Sequence, residues 1–132
     1  MKIKRIDHVG VIVASLERAQ SLIGDGFGLE AIRQVKREEL MATFFQCGGA
    51  DVEMIEVTDP EMREQRLGQG REARVEHIAF EVESLDEALV ALADLGIETT
   101  GPPQQSPAFT SVWTKPETSG GVVYQFLERR SS

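Results

Sequence analysis

The sequence predicts an α+β fold of two tandem βαβββ modules, forming one cupped mixed sheet with the helices on its convex side. Three observations carry that prediction. Ile6–Ala19 reads I-D-H-V-G-V-I-V-A-S-L-E-R-A and Val75–Ala88 reads V-E-H-I-A-F-E-V-E-S-L-D-E-A, at a constant, gapless offset of 69 residues. Gly48-Gly49 leads into A-D-V-Glu53 as Gly120-Gly121 leads into V-V-Y-Gln125, so a polar residue falls four positions after each glycine pair. In both copies, a short run rich in Val and Ile is followed by a serine and a stretch of helical periodicity. A chain that repeats itself places equivalent residues of the two copies at symmetry-related points.

In the first module, residues 1–57, Ile6–Val13 is short and β-branched, as a buried strand should be. Alternation sets His8, Gly10 and Ile12 on one face and Val9, Val11 and Val13 on the other. Ser15 suits a helix N-cap, Leu16, Ala19 and Ile23 keep helical spacing, and Gly24, Gly26 and Gly28 end it. Strands are then expected over Ile32–Lys36, Ala42–Cys47 and Asp51–Val57. Residues 58–73 are polar, hold Asp59-Pro60, Gly68 and Gly70, and read as a linker with room for a helical turn.

The second module, residues 74–132, repeats the order. Val75–Val82 reads as a strand, and Ser84-x-x-Glu87 is a capping-box signature. Leu85, Ala88, Leu89 and Leu92 form an apolar stripe, and Gly96 is a natural stop. Strands are expected near Ile97–Thr100, Ser111–Thr114 and Val122–Leu127, with Gly101–Pro107 as a mobile rim loop.

Composition narrows the function. At 132 residues the two halves are too small to bury separate large cores and should share one. A net charge of −8 argues against nucleic acid and anionic membranes as partners. No apolar run approaches the roughly 20 residues of a membrane span, and the basic start does not lead into a signal-peptide core. The single cysteine, Cys47, excludes an internal disulfide, suits a reducing cytoplasm, and reads as a small buried residue.

The repeat singles out His8, Glu53, His77 and Gln125. Two imidazoles, a carboxylate and an amide oxygen are a plausible ligand set for a divalent metal such as Zn, Ni, Co or Mn, with room for water. Each residue also has a plainer reading. A histidine on an apolar strand is often a satisfied core residue, Glu56 competes with Glu53, and Gln125 needs only some hydrogen-bond partner. Trp113 and Phe45 are candidates to line the cup. Arg33, Lys36 and Arg37 form a basic cluster that suits either a substrate anion or solvent, and Ser111 and Thr43 are possible donors to a ligand.

The segments I-D-H-V-G-V-I-V at Ile6, V-E-M-I-E at Val52, E-H-I-A-F-E-V at Glu76 and K-P-E-T-S-G-G-V-V-Y-Q-F at Lys115 resemble the vicinal oxygen chelate superfamily. This is the family of glyoxalase I, bleomycin-resistance proteins, extradiol dioxygenases and methylmalonyl-CoA epimerase, and the last branch is most similar. The resemblance covers nearly the whole chain. It implies that His8, Glu53, His77 and Gln125 are the metal positions. Epimerases carry His, Gln, His, Glu in that order and bacterial glyoxalase I carries His, Glu, His, Glu, whereas this chain has His, Glu, His, Gln. The last-strand glutamate implied as a base is therefore absent. Alignment puts Thr43 at the epimerase's other base, with Val112 at the pseudo-symmetric place, and neither serves as one. Glu53 is left as the candidate catalytic base.

The resemblance thus implies a metal-dependent isomerase or lyase, working through an enolate on a small carbonyl compound or thioester, as a homodimer. The competing expectations are a metal-free ligand-binding protein and, with less support, an Fe(II) dioxygenase.

Overall fold

The computed structural model describes residues 1–130. The chain runs β1 (Ile3–Val13), α1 (Leu16–Gln20, continued by a π-helical turn, Ser21–Gly26), β2 (Glu30–Lys36), β3 (Leu40–Cys47), β4 (Ala50–Val57) and α2 (Pro60–Arg66). It continues as β5 (Ala73–Val82), α3 (Leu85–Asp94), β6 (Gln104–Gln105), β7 (Phe109–Trp113), a 3-10 turn (Pro116–Thr118) and β8 (Val123–Arg129). Among the described residues no helix is long and apolar enough to cross a membrane.

The residues fall into two compact units. One is the contiguous stretch His8–Glu76, and the other joins Met1–Asp7 to the chain from His77 onward. The chain therefore passes from one unit to the other inside β1 and again inside β5.

In the His8–Glu76 unit the strand order is β2-β3-β4-β1. β1 and β4 are parallel, with His8 opposite Asp51 and Gly10 opposite Glu53, and β3 is antiparallel to both β2 and β4. Alternation sorts the side chains into two layers. Val13, Leu16, Ile23, Phe45 and Met54 pack between the strands and α1. Ile12, Ala42, Ile55, Val57 and Leu67 pack on the other face, where Leu67 follows directly on α2. The stretch read as a linker is thus anchored by its own helix, with Asp59 accepting from the Met62 N–H as N-cap and Pro60 in the first turn.

In the other unit the order is β5-β8-β7-β6, with β5 and β8 parallel. The Glu83 N–H donates to the Lys2 carbonyl, which explains why β1 starts at Ile3, earlier than the apolar run suggested. Lys4 and Arg5 bond the buried Glu81 carboxylate, while Arg5 and Arg129 pair with the buried Asp7. These basic residues give two desolvated carboxylates their counter-charges. Val82, Leu85, Ala88, Leu92, Val112 and Phe126 form the core under α3.

Both serine caps are present, Ser15 to the Arg18 N–H and Ser84 to the Glu87 N–H. A second capping device is also duplicated. Glu56 on β4 accepts from the Leu16 N–H at 2.8 Å, and Glu128 on β8 accepts from the Leu85 N–H at 2.7 Å. A carboxylate at a helix N-terminus satisfies an orphan donor and complements the helix dipole. The Glu56→Ala variant is expected to lose about 1.5–3 kcal/mol of stability in urea unfolding, the range for a hydrogen bond to a charged group.

Three expectations need correction. No strand forms over Ile97–Thr100; only Thr99 makes an isolated bridge, to Thr114. The Ile97 N–H turns back to the Leu92 carbonyl and the Glu98 N–H is taken by the Thr118 hydroxyl, so neither is available to a ladder. Strand pairing resumes only after Pro102-Pro103, which lack N–H groups, and β6 lies inside the loop expected to be a mobile rim. Finally, Cys47 ends β3 as expected but is exposed, not buried.

Candidate metal-binding site

Within the His8–Glu76 unit, a row of side chains crosses four strands on the face away from α1. The register sets Arg33 opposite Phe44, Phe44 opposite Glu53, and Glu53 opposite Gly10. His8 precedes Gly10 by two residues and so shares its face. Its Nε2 lies 3.3 Å from Glu53 Oε1, and its ring meets Phe44 edge-on, with centroids 5.4 Å apart. His8 is 2% exposed and the Glu53 side chain 14%, so both polar groups sit away from bulk water. Gly10 adds no side chain to this row.

The other unit repeats the pattern with different residues. His77 is 3% exposed. Two residues on, Ala79 lies opposite Gln125, which in turn lies opposite Trp113. Gln125 stands to His77 as Glu53 stands to His8, with Ala79 and Trp113 in the places of Gly10 and Phe44. The buried Gln125 amide nitrogen donates to the Ser111 hydroxyl at 3.2 Å. With its N–H committed, the amide has its carbonyl oxygen left to accept or to ligate.

Several expectations are sorted by this geometry. Glu56, the competitor to Glu53, caps α1 from the opposite face. Thr43 also faces α1 and accepts from the Gln20 side-chain amide at 2.7 Å, so it is not beside Glu53. Val112 is in the core under α3. Phe45 belongs to the α1 core, and Phe44 is the aromatic next to His8. Of the basic cluster, Arg33 shares the face of Phe44 and lies 4.1 Å from its ring centroid. Lys36 lies opposite Met41, which packs in the α1 layer.

Arg66 is a residue that the sequence reading passed over. From the end of α2 it makes two bonds to Glu76, at 2.8 and 2.7 Å. Burial would lower its pKa, but the Glu76 hydrogen bond and the charges of Glu76 and Glu53 outweigh that and raise it. Glu53 therefore feels a fixed positive charge. The signal for α2 was Asp59-Pro60 ahead of Met62 and Leu67, a capped start before two apolar residues.

Residues 7–111 match the model of the Glyoxalase/Bleomycin resistance protein/Dioxygenase superfamily. The chain belongs to that superfamily. Among curated relatives, an uncharacterized protein of Bacillus subtilis, YqjC, is 29% identical over 132 residues, covering 94% of this chain and 91% of its own. A second uncharacterized B. subtilis protein, YwkD, is 30% identical over 102 residues, with 75% and 77% covered. Solved structures that resemble this member of the superfamily include methylmalonyl-CoA epimerase from Mycobacterium tuberculosis, with a TM-score of 0.86 at 18% identity, covering 98% of this chain and 90% of that one. Another is a methylmalonyl-CoA epimerase in complex with methylmalonyl-CoA and NH4+, with a TM-score of 0.85, 19% identity, and 96% and 95% covered. A hypothetical protein of Bacillus halodurans gives 0.82 at 20% identity, with 97% and 96% covered. At such identities the likeness shows the fold, which is the α+β vicinal oxygen chelate fold with its eight-stranded mixed sheet.

Proposed function

We propose that this superfamily member is a divalent-metal-dependent isomerase or lyase, which moves a proton beside the carbonyl of a small carbonyl compound or thioester. His8, Glu53, His77 and Gln125 are the residues that would hold the metal. The observation that carries the reading is the shared register, in which each histidine has its oxygen donor opposite the residue two places on. The donor chemistry fits a catalytic divalent ion. Two imidazoles and two oxygens leave coordination positions for substrate, and the Ser111 bond leaves the Gln125 oxygen as its ligating atom. When bound, such a metal polarises a carbonyl oxygen and lowers the cost of removing a proton from the neighbouring carbon.

The chain's own residues then limit the proton chemistry. Gln125 is an amide and does not serve as a base near neutral pH. The β3 residue opposite Glu53 is Phe44, which has no ionisable group. Glu81 shares the face of His77, but Lys4 and Arg5 hold it. Glu53 is thus assigned both removal and return of the proton, on one face of the substrate, in place of a two-base exchange. A CoA thioester, bound by one solved neighbour, is a reasonable first substrate class to screen. The proposal includes a homodimer in the cytoplasm.

The experiment is the metal content of the purified protein after reconstitution with Zn, Ni, Co or Mn, set beside His8→Ala and His77→Ala variants. About one metal per chain, lost in both variants, is the expected result. A wild-type protein that takes up no metal would overturn the reading and favour a metal-free ligand-binding protein.

A further inference from the structure

We infer that the substrate carries a carboxylate remote from the reacting carbonyl, and that Arg33 receives it. This rests on the metal reading above and deepens it. The row Arg33–Phe44–Glu53 crosses adjacent strands of one unit. Two strand spacings put the Arg33 backbone on the order of 10 Å from that of Glu53. A molecule chelated at the His8–Glu53 end and extended along the row would reach the arginine.

Arg33 is exposed on β2, and three features mark it as a receiver. First, the register of β2 shifts between Ala31 and Arg33, and the bulge brings Arg33 opposite Phe44. Bulges commonly re-aim a side chain in this way. Second, the guanidinium lies 4.1 Å from the centroid of the Phe44 ring, whose edge partner is His8. Phe44 is itself 6% exposed, so it is a fixed platform. A guanidinium resting on a ring still has its N–H edge available as a planar fork that matches a carboxylate. Third, Arg33 is uncommitted. Arg66 is bonded twice by Glu76 and Arg63 donates to the Val57 and Ala14 carbonyls, whereas among the described residues Arg33 has no carboxylate partner. In a chain of net charge −8, a local cation beside the site gives an anionic substrate a favourable approach.

The test uses two six-carbon probes with the same metal-chelating 2-oxo acid head. 2-Oxoadipate has a distal carboxylate and 2-oxohexanoate has a methyl group in its place. Binding of each to cobalt-loaded protein is measured by calorimetry for wild type, Arg33→Gln and Arg33→Lys. The expected result is that wild type prefers 2-oxoadipate by about tenfold or more, as one charge-assisted pair allows. Arg33→Gln should lose that preference with 2-oxohexanoate affinity unchanged, and Arg33→Lys should keep part of it. Equal affinity of wild type for the two probes, or a preference that survives Arg33→Gln, would overturn the assignment while leaving the metal site standing. Failure to take up cobalt, and equally Zn, Ni or Mn, would remove the metal reading itself, and the role of Arg33 with it.

Discussion

Glu53→Gln protein is expected to retain its metal and to turn over substrate about 10²–10⁴-fold more slowly, the usual contribution of a positioned general base. The substitution keeps an oxygen donor of the same length opposite Gly10 and beside His8, so the ligand geometry is preserved. What it removes is the capacity to hold a proton. In this chain no other member of the proposed ligand set has a carboxylate. The two readouts separate the roles assigned to Glu53. Metal content unchanged with turnover collapsed supports base catalysis. Metal lost along with turnover would make Glu53 a ligand whose charge is needed for binding, and the proton would have to be carried by another group. Full turnover with metal retained would remove Glu53 from the chemistry.

The second large effect lies on the neighbouring strand, β3, and on the face opposite Glu53. Phe45→Ala is expected to cost about 3–5 kcal/mol in denaturant unfolding, as truncation of a buried aromatic does. Phe45 is 2% exposed and packs with Val13, Leu16, Ile23 and Met54 under α1. Gly24 lies over the ring, where a Cβ would make ordinary van der Waals contact at 3.6 Å. The ring is enclosed by side chains from β1, β4 and the helical segment, and a cavity there costs what they cannot fill. A loss well under 2 kcal/mol would mean that the α1 layer relaxes freely around the missing ring.

These two neighbours show what the sequence made legible. The His8 and His77 strands, both serine caps and the α3 stripe follow from local pattern, because each depends on residues within a turn or two of each other. The equivalent registers of Glu53 relative to His8 and of Gln125 relative to His77 were readable because the duplication supplied its own alignment. Phe44 and Phe45 were not separable, since an adjacent aromatic pair in a buried strand gives no alternation to read. The facing of Thr43 was lost for the same reason. It took the β3–β4 register to turn Phe44 to Glu53 and Thr43 to α1. The strand at Gln104–Gln105 was hidden by its prolines, and the absent one at Ile97–Thr100 by a local β-like composition whose Ile97 and Glu98 N–H groups are engaged elsewhere. The Arg66–Glu76 pair joins α2 to β5, a link that no period reveals.

The passage of the chain between units inside β1 and β5 bears on how the molecule would respond to cleavage. One unit is a continuous segment, and the other is assembled from what lies before and after it. A nick in the glycine-flanked turn at Gly68–Gly70 would not yield one fragment per unit. The upstream fragment would keep Met1–Asp7, which belong with the chain beyond His77, and the downstream fragment would keep the last residues before His77, which belong with the segment upstream. Each piece would hold a portion of the other's fold, so the halves are hostages to one another and reassembly from the two fragments has to be reciprocal.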